Sequence, residues 1–397
     1  MSTLPTIRLK PREGRRARAG APWIYSNEIE MSQPVKALPA GSPVTVKGDD
    51  GRIFGTGYFN AHSLIAVRLL DKAADAAIDA DFLSARIARA LALRERLYNQ
   101  PYYRLVHSEG DGLPGLTIDR FVDTLVVQVT TAGMEALLEA LLSALDKTLA
   151  PANVILRNDA PARALEGLEL YVRAARGSAS RIGLMENGVR YFADPEGGQK
   201  TGWYFDQREN RAFIAALAQG KSVLDAYCYS GGFSVAAAKS EAREVTGLDS
   251  SAPALALAQE AAAANHVACR FVKADVMEEL ERLNAAKETF DIVVADPPPF
   301  VKSKKDLEPG AKAYRKLARL AAGVVAPNGF LLLASCSHNI PMERFALECA
   351  AGISRADRRA SLIRQAGAGP DHPVHPLLPE SAYLKALVYA VDWMSDG

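Results

Sequence analysis

The spacing of apolar and polar residues changes character twice along the chain. Up to about residue 75, short apolar runs at 43–46, 53–59 and 64–70 alternate with Gly, Asp and Asn turn signals at 48–51 and 60, which predicts a small β-rich domain. From 76 to 193 the period lengthens. Residues 81–98 place Leu83, Ile87, Leu91 and Leu93 on an apolar stripe and Arg86, Arg89, Arg94 and Arg96 on a polar one, the pattern of an amphipathic helix. A turn at 110–115 then enters a strand, and a second strand at 125–129 precedes a helix at 134–149. Strands at 154–157 and 190–193 complete an α+β region that reads as scaffold or substrate platform. From 194 to 397 strands and helices alternate. Strands are predicted at 223–227, 244–249, 269–275, 290–296 and 329–335, with helices opening at Gly232 and across 254–265. Regular β–α alternation implies a parallel, doubly wound sheet of Rossmann-like α/β type.

Composition narrows the class. A chain of 397 residues exceeds one ordinary core, consistent with two or three domains. Lys and Arg total 47 against 46 Asp and Glu, for a net charge of +1, so a polyanion binder driven by bulk charge is excluded. No stretch approaches the roughly 20 apolar residues of a membrane span, and no leader-like apolar segment opens the chain. The four cysteines lack zinc or CxxC spacing. A cytoplasmic protein with reduced thiols, no metal and no membrane partner is expected.

Charge is nonetheless concentrated locally. Residues 10–20 carry five basic side chains, among them Arg12, Arg15 and Arg16, against a single acid, and Trp23 and Tyr25 follow. Cations neutralise phosphates and flat rings stack on bases, a mixture suited to RNA. The alternative is a solvated loop with both aromatics packed inside.

The first strand of the α/β part runs into Asp225-Ala-Tyr-Cys-Tyr-Ser-Gly-Gly-Phe. Asp225, Tyr227, Ser230, Gly231, Gly232 and Phe233 are therefore candidate cofactor residues at a helix N-terminus. A full GxGxxG is missing, which disfavours a dinucleotide. Asp249 ends the second strand, at the spacing where a carboxylate receives ribose hydroxyls, and Asp275 ends the third, where it can receive an adenine amine. Three strand-end aspartates beside a Gly-rich turn favour a nucleoside ligand, S-adenosylmethionine before NAD.

After the fourth strand comes Asp296-Pro-Pro-Pro-Phe-Val-Lys. Consecutive prolines make a rigid segment, and Asp296, Pro297, Pro298 and Phe300 are candidates for orienting and stacking on a flipped base. The fifth strand ends in Ser335-Cys-Ser-His, which brings Cys336 to the same mouth as a candidate nucleophile. Ser335, Ser337 and His338 are expected to assist the thiol through hydrogen bonds or a lowered pKa. Cys228 is assigned to packing, and Cys269 and Cys349 to structure. The polar and aromatic segment 197–211 supplies Asp206 and Arg208 for the cofactor's methionine end and Lys200 for cofactor or RNA phosphate.

These segments, with Lys10-Pro-Arg-Glu-Gly-Arg-Arg, Gly198-Gln-Lys-Thr-Gly-Trp-Tyr-Phe-Asp-Gln-Arg and Asp371-His-Pro-Val-His-Pro, together resemble the bacterial 23S ribosomal RNA 5-methylcytosine methyltransferases of the RlmI type. The resemblance spans nearly the whole chain and departs at Pro299, where many members carry a basic residue. It implies a PUA domain over 1–75, a central α+β domain over 76–193 and a Rossmann-like S-adenosylmethionine-dependent methyltransferase domain over 194–397. It further implies cytosine as target, Cys336 as nucleophile, and 23S ribosomal RNA as partner, with a homodimer as the protein assembly considered. Two other functions fit the residues: a guanine or exocyclic-nitrogen RNA methyltransferase in which Cys336 is structural, and an inactive RNA-binding ribosome assembly factor.

Overall fold

The computed structural model describes residues 3–198 and 201–392. The chain divides into two compact units, one of Met1–Ile182, Asp194–Trp203 and Pro370–Pro379, the other of Gly183–Ala193, Tyr204–Gly369 and Glu380–Gly397.

The first unit contains two five-stranded sheets. Strands β1 (Thr6–Arg8), β2 (Trp23–Ile24), β3 (Ser42–Lys47), β4 (Ile53–Phe59) and β5 (Val67–Asp71) pair in the order β1-β3-β4-β5-β2. Short helices α1 (Arg15–Ala19) and α2 (Gln33–Lys36) flank them. Ile7, Leu9, Ile24, Val44, Val46, Phe59 and Val67 bury one apolar core. Helix α3 (Ala80–Leu97) begins where the Asp79 carboxylate accepts the Asp81 and Phe82 amides, one residue from the sequence expectation. The second sheet, ordered β10-β9-β8-β7-β6, is built from β6 (Tyr102–His107), β7 (Leu116–Phe121), β8 (Thr124–Val129), β9 (Asn153–Asn158) and β10 (Tyr171–Arg176). The helix expected over 134–149 is two: α4 (Ala132–Ala136), capped by the Thr131 hydroxyl, and α5 (Leu138–Leu149). They part at Leu137, whose amide bonds Met134 three residues back in a tightened turn.

In the second unit, β11 (Ile182–Glu186) and β12 (Val189–Ala193) form a hairpin. Sequence placed its second strand with the central region. The Tyr191 hydroxyl, however, donates to the Gly232 carbonyl, and Asn265 exchanges hydrogen bonds with the Arg190 backbone, which fastens the hairpin to the α/β part. After α6 (Arg208–Leu217) come β13 (Ser222–Ala226), α7 (Gly232–Lys239), β14 (Glu244–Asp249), α8 (Ala252–Ala264), β15 (Arg270–Lys273), α9 (Val276–Ala286) and β16 (Phe290–Ala295). Helix α10 (Leu307–Gly323), β17 (Val325–Ser335), α11 (Met342–Ser354), β18 (Ala360–Ala366) and β19 (Lys385–Val391) complete the unit. The described residues give a seven-stranded sheet ordered β15-β14-β13-β16-β17-β19-β18. Its first five strands are parallel, and β19 enters antiparallel between β17 and β18. Strand order reverses between β13 and β16, so the crevice for a ligand opens at their C-terminal ends.

Arg94 shows how tightly the first unit specifies its polar interior. Its side chain is fully buried, pairs with both Asp111 oxygens at 2.5 and 2.7 Å, and donates to the Arg104 and Asp371 carbonyls. Arg94→Met leaves Asp111 as a buried charge without its partner, a loss of about 3–5 kcal/mol. Urea unfolding should show the midpoint falling accordingly, and an unchanged midpoint would contradict this account.

Candidate functional site

The turn after β13 is held by two aspartates with different tasks. Asp225, 1% exposed, accepts the Ser234 amide and hydroxyl at 2.9 and 2.6 Å through Oδ2, which pins the start of α7. Its Oδ1 is buried without a hydrogen-bond partner, as is the Ser230 hydroxyl. Burial first, then the nearby Asp249 charge, push the Asp225 carboxyl up to about 6. Asp249 is half-buried and accepts the Tyr229 amide at 2.9 Å and the Ser251 amide at 2.8 Å, one on each oxygen. Each oxygen keeps a lone pair for a hydroxyl donor.

Tyr227, Tyr229 and Gly231 all have left-handed φ, at 66°, 48° and 81°. For tyrosines this backbone is strained, as occurs where a turn must present itself to a ligand. A β-carbon on Gly231 would stand 2.9 Å from the Ala258 methyl, so only glycine fits there. Gly232 and Phe233 open α7 and are buried. Burial and the Asp275 and Asp249 charges raise the Tyr227 phenol, so its ring lies within the field of both carboxylates. Asp275 is exposed and caps α9, accepting the Met277 and Glu278 amides through one oxygen. Capping alone accounts for that oxygen, and the other is the one available to a ligand amine.

The second half of the site lies after β16 and β17. Asp296 accepts a 2.8 Å hydrogen bond from the Gln207 amide, and Gln207 also binds Asn210. Pro297 is buried and Pro298 exposed. The Phe300 ring packs 4.8 Å from Tyr314 in the core, so one side of it is covered. Ser337 donates to the Val301 carbonyl at 2.7 Å and accepts the Val301 amide at 3.2 Å, which staples the proline segment to the end of β17. Ser335 donates to the Tyr314 hydroxyl at 2.8 Å. The serines expected to serve the thiol therefore hold the loops instead, because their hydroxyls find acceptors there. Cys336, between them, is half-buried. His338 is exposed and stacks obliquely on Tyr383, 5.2 Å between centroids.

Tyr204 was not singled out in the sequence. It meets Tyr229 edge-on at 5.3 Å, and burial followed by Tyr229, Asp206, Asp296 and Cys336 raises its phenol. One ring thus lies in the field of the cofactor turn, the proline segment and the thiol. Asp206 is buried and accepts the Tyr383 hydroxyl at 2.6 Å. Arg208, expected at the cofactor's methionine end, is buried with its guanidinium 3.5 Å from Glu186, and Arg211 grips the same carboxylate at 2.6 and 2.9 Å. The hairpin supplies this acid, and no local pattern in the sequence announces it. Lys200 lies outside the described residues. Cys228 is buried with its thiol raised well above the usual range, Cys269 is pushed up to about 12, and Cys349 is raised by burial, so these three are inert.

In the first unit, Arg12 and Arg15 are exposed and make no ion pair among the described residues. Arg16 donates to the Tyr25 hydroxyl and the Leu377 carbonyl. Trp23 is half-buried with its indole N–H on Glu109 at 2.8 Å, a packing arrangement instead of an open stacking face.

A parallel sheet with this strand order, a strained glycine turn and two strand-end aspartates define a nucleoside-binding methyltransferase site. Residues 175–390 match the family described as S-adenosylmethionine-dependent methyltransferase, to which the chain belongs, and residues 7–72 match a PUA-like domain. Relatives named ribosomal RNA large subunit methyltransferase I include one from Shewanella amazonensis, 37% identical over 97% of this chain and 99% of its own length. Another, from Tolumonas auensis, is 36% identical over 92% of this chain and 94% of its own. Among solved structures, a Streptococcus mutans methyltransferase superposes with a TM-score of 0.82 at 20% identity, covering 97% of this chain and 100% of that one. A methyltransferase complexed with SAH gives 0.83 at 21%, with the same coverage.

The residues fit the cofactor. The unpartnered Oδ1 of Asp225 and hydroxyl of Ser230 suit its ammonium and carboxylate ends, and Asp249 suits its ribose. A bound ammonium favours the ionised form of Asp225. With the carboxyl near 6, raising the pH from 5 to 7 supplies that form, so cofactor affinity should tighten roughly tenfold. In the cofactor-free protein the sign is opposite: the stability held by the raised carboxyl is full below its unfolded value and fades as pH passes about 6. Calorimetric titration across this range checks the affinity, and Asp225→Asn should flatten the profile; a flat wild-type profile would refute the assignment.

Proposed function

We propose that this protein methylates carbon-5 of a cytosine in 23S ribosomal RNA, in the cytoplasm, through a covalent adduct with Cys336. The names of the nearly full-length relatives support a large-subunit ribosomal RNA substrate. The observation that carries the chemistry is the Ser337–Val301 staple, which ties the thiol's loop to the proline segment bearing Asp296. In this reading residues 1–75 bind RNA through Arg12, Arg15 and Arg16, residues 76–193 serve as platform, and residues 194–397 carry the chemistry.

S-adenosylmethionine supplies a methyl group made electrophilic by its sulfonium. Carbon-5 of cytosine is too weak a nucleophile to accept that methyl unaided. The Cys336 thiolate adds to carbon-6, and the ring electron pair moves to carbon-5, which becomes nucleophilic. After methylation, loss of the carbon-5 proton returns an electron pair to the ring and expels the thiolate. Asp296, steadied by Gln207, receives donors from the base edge, while Pro297, Pro298 and the outer side of Phe300 bound the pocket. Asp225, Tyr227, Ser230, Gly231, Gly232, Phe233, Asp249 and Asp275 hold the cofactor. Asp206 closes its methionine end through Tyr383, and Arg208 shapes that end through Glu186.

Cys336→Ser should lower methyl transfer to 23S ribosomal RNA by at least roughly a thousandfold while leaving cofactor binding intact. Near-normal turnover would instead mean attack by a ring or exocyclic nitrogen, which needs no thiol. Mapping 5-methylcytosine in 23S ribosomal RNA from cells with and without the protein tests the target. The same modified cytosines in both would overturn it.

A further inference from the structure

Lys385 is the first residue of β19, directly opposite Ser335 in the antiparallel pairing with β17, and is thus one register step from Cys336. It is 6% exposed. Two of its three possible donors are used, on the Ser337 carbonyl at 2.7 Å and the Tyr383 carbonyl at 2.8 Å. Both acceptors are neutral. Among the described residues no carboxylate lies within ion-pair distance of it, although the second unit's buried arginines, Arg208 and Arg211, share Glu186. A buried ammonium without a counterion is rare because desolvation is so unfavourable. Burial lowers the Lys385 ammonium, and the acidic group in its field that opposes this is the Cys336 thiol.

We propose that Lys385 is the counterion of Cys336 and holds it as a thiolate at neutral pH. This rests on the nucleophile reading only for its use, since the ion pair can exist whether or not the sulfur attacks a base. The Ser337 carbonyl that receives Lys385 belongs to the residue after Cys336, so one hydrogen bond fixes the cation beside the thiol's own loop. Two phenols among the described residues also lie in the field of the sulfur. Tyr204 and Tyr314 come from the segment before α6 and from α10, and both phenols are raised by burial. Asp296 lies in the field of Tyr204, Asp206 binds Tyr383, and His338 is exposed to solvent. Carboxylates near the sulfur would drive the thiol up, and a buried ammonium in its field acts in the opposite direction. Lys385 is a positioning residue in this scheme: it acts through the sulfur.

Alkylation of the full-length, cofactor-free protein by iodoacetamide reads the ionisation directly. The thiolate sulfur forms a bond to the reagent's carbon and iodide leaves, so the rate tracks the thiolate fraction. Cys228, Cys269 and Cys349 stay protonated at neutral pH, and peptide mass spectrometry isolates the Cys336 signal. The midpoint of the Cys336 pH profile should lie well below the ~8.5 of a free cysteine. It should rise by about one unit or more in Lys385→Met, with roughly tenfold slower alkylation at pH 7, and stay low in Lys385→Arg. Equal midpoints in wild type and Lys385→Met, or a wild-type midpoint at the free value, would overturn the proposal. Cofactor binding reports whether each variant folds. If Lys385→Met does not, Lys385→Arg decides: a low midpoint supports the charge, and one at the free value refutes it. A fully active Cys336→Ser enzyme would remove the nucleophile and leave these alkylation results standing.

Discussion

The reversal of strand order between β13 and β16 is the constraint from which the rest of the second unit follows. A strand sent to the left of β13 and one sent to its right draw their following loops apart, and the gap between them admits a ligand without disturbing the sheet. The residues proposed for the site hang from strand ends along this rim: Asp225 from β13, Asp249 from β14, Asp296 after β16, Cys336 after β17. The sheet interior can then be mostly apolar. Leu224, Ala226, Val293, Ala295, Leu331 and Leu333 on one side, and Val223, Ile292, Val294, Leu332 and Ala334 on the other, fill two separate cores. Polar groups are confined to the rim, where loops can be tied to one another.

That confinement explains what could be read from the sequence. Parallel strands are continuous apolar runs that stop at a polar residue, so 223–227, 244–249 and 290–296 stand out, and their terminal aspartates with them. The glycine turn and the proline segment are equally plain because backbone demands restrict residue choice. The same logic fails for β18, whose residues are mostly exposed and show neither alternation nor an apolar run. It also fails for β19, whose partner was decided 50 residues earlier in the chain: Lys385 pairs with Ser335. A lysine opening a strand reads as a solvated end, and only the antiparallel insertion of β19 buries it. The burial of Arg208 was hidden for a related reason. Its partner Glu186 sits on a hairpin whose attachment to this unit depends on Tyr191 and Asn265, two contacts with no local signature.

The serines flanking Cys336 carry the more general point. Hydroxyls next to a candidate nucleophile suggest activation, but a buried hydroxyl must satisfy its own donor first. Ser335 does so on Tyr314 and Ser337 on Val301, which makes both fasteners of the thiol's loop. The proposed activation of the thiol therefore draws on a neighbour in space, Lys385.

Electrostatics then sets the direction from which it comes. Asp225, Asp249, Asp275, Asp206 and Asp296 give this rim an excess of negative charge suited to a cofactor that carries both a sulfonium and an ammonium. Burial first, and this field with it, opposes ionisation of acids placed here, as the raised carboxyl of Asp225 and the raised phenols of Tyr227 and Tyr204 record. A cysteine at that rim would be a poor nucleophile if it shared the potential of the cofactor side. Antiparallel β19 places the buried Lys385 beyond the proline segment, on the side away from β13 and β14. In the proposed scheme the crevice is polarised, with carboxylates where the cofactor's positive charge belongs and an ammonium where a sulfur anion would stand.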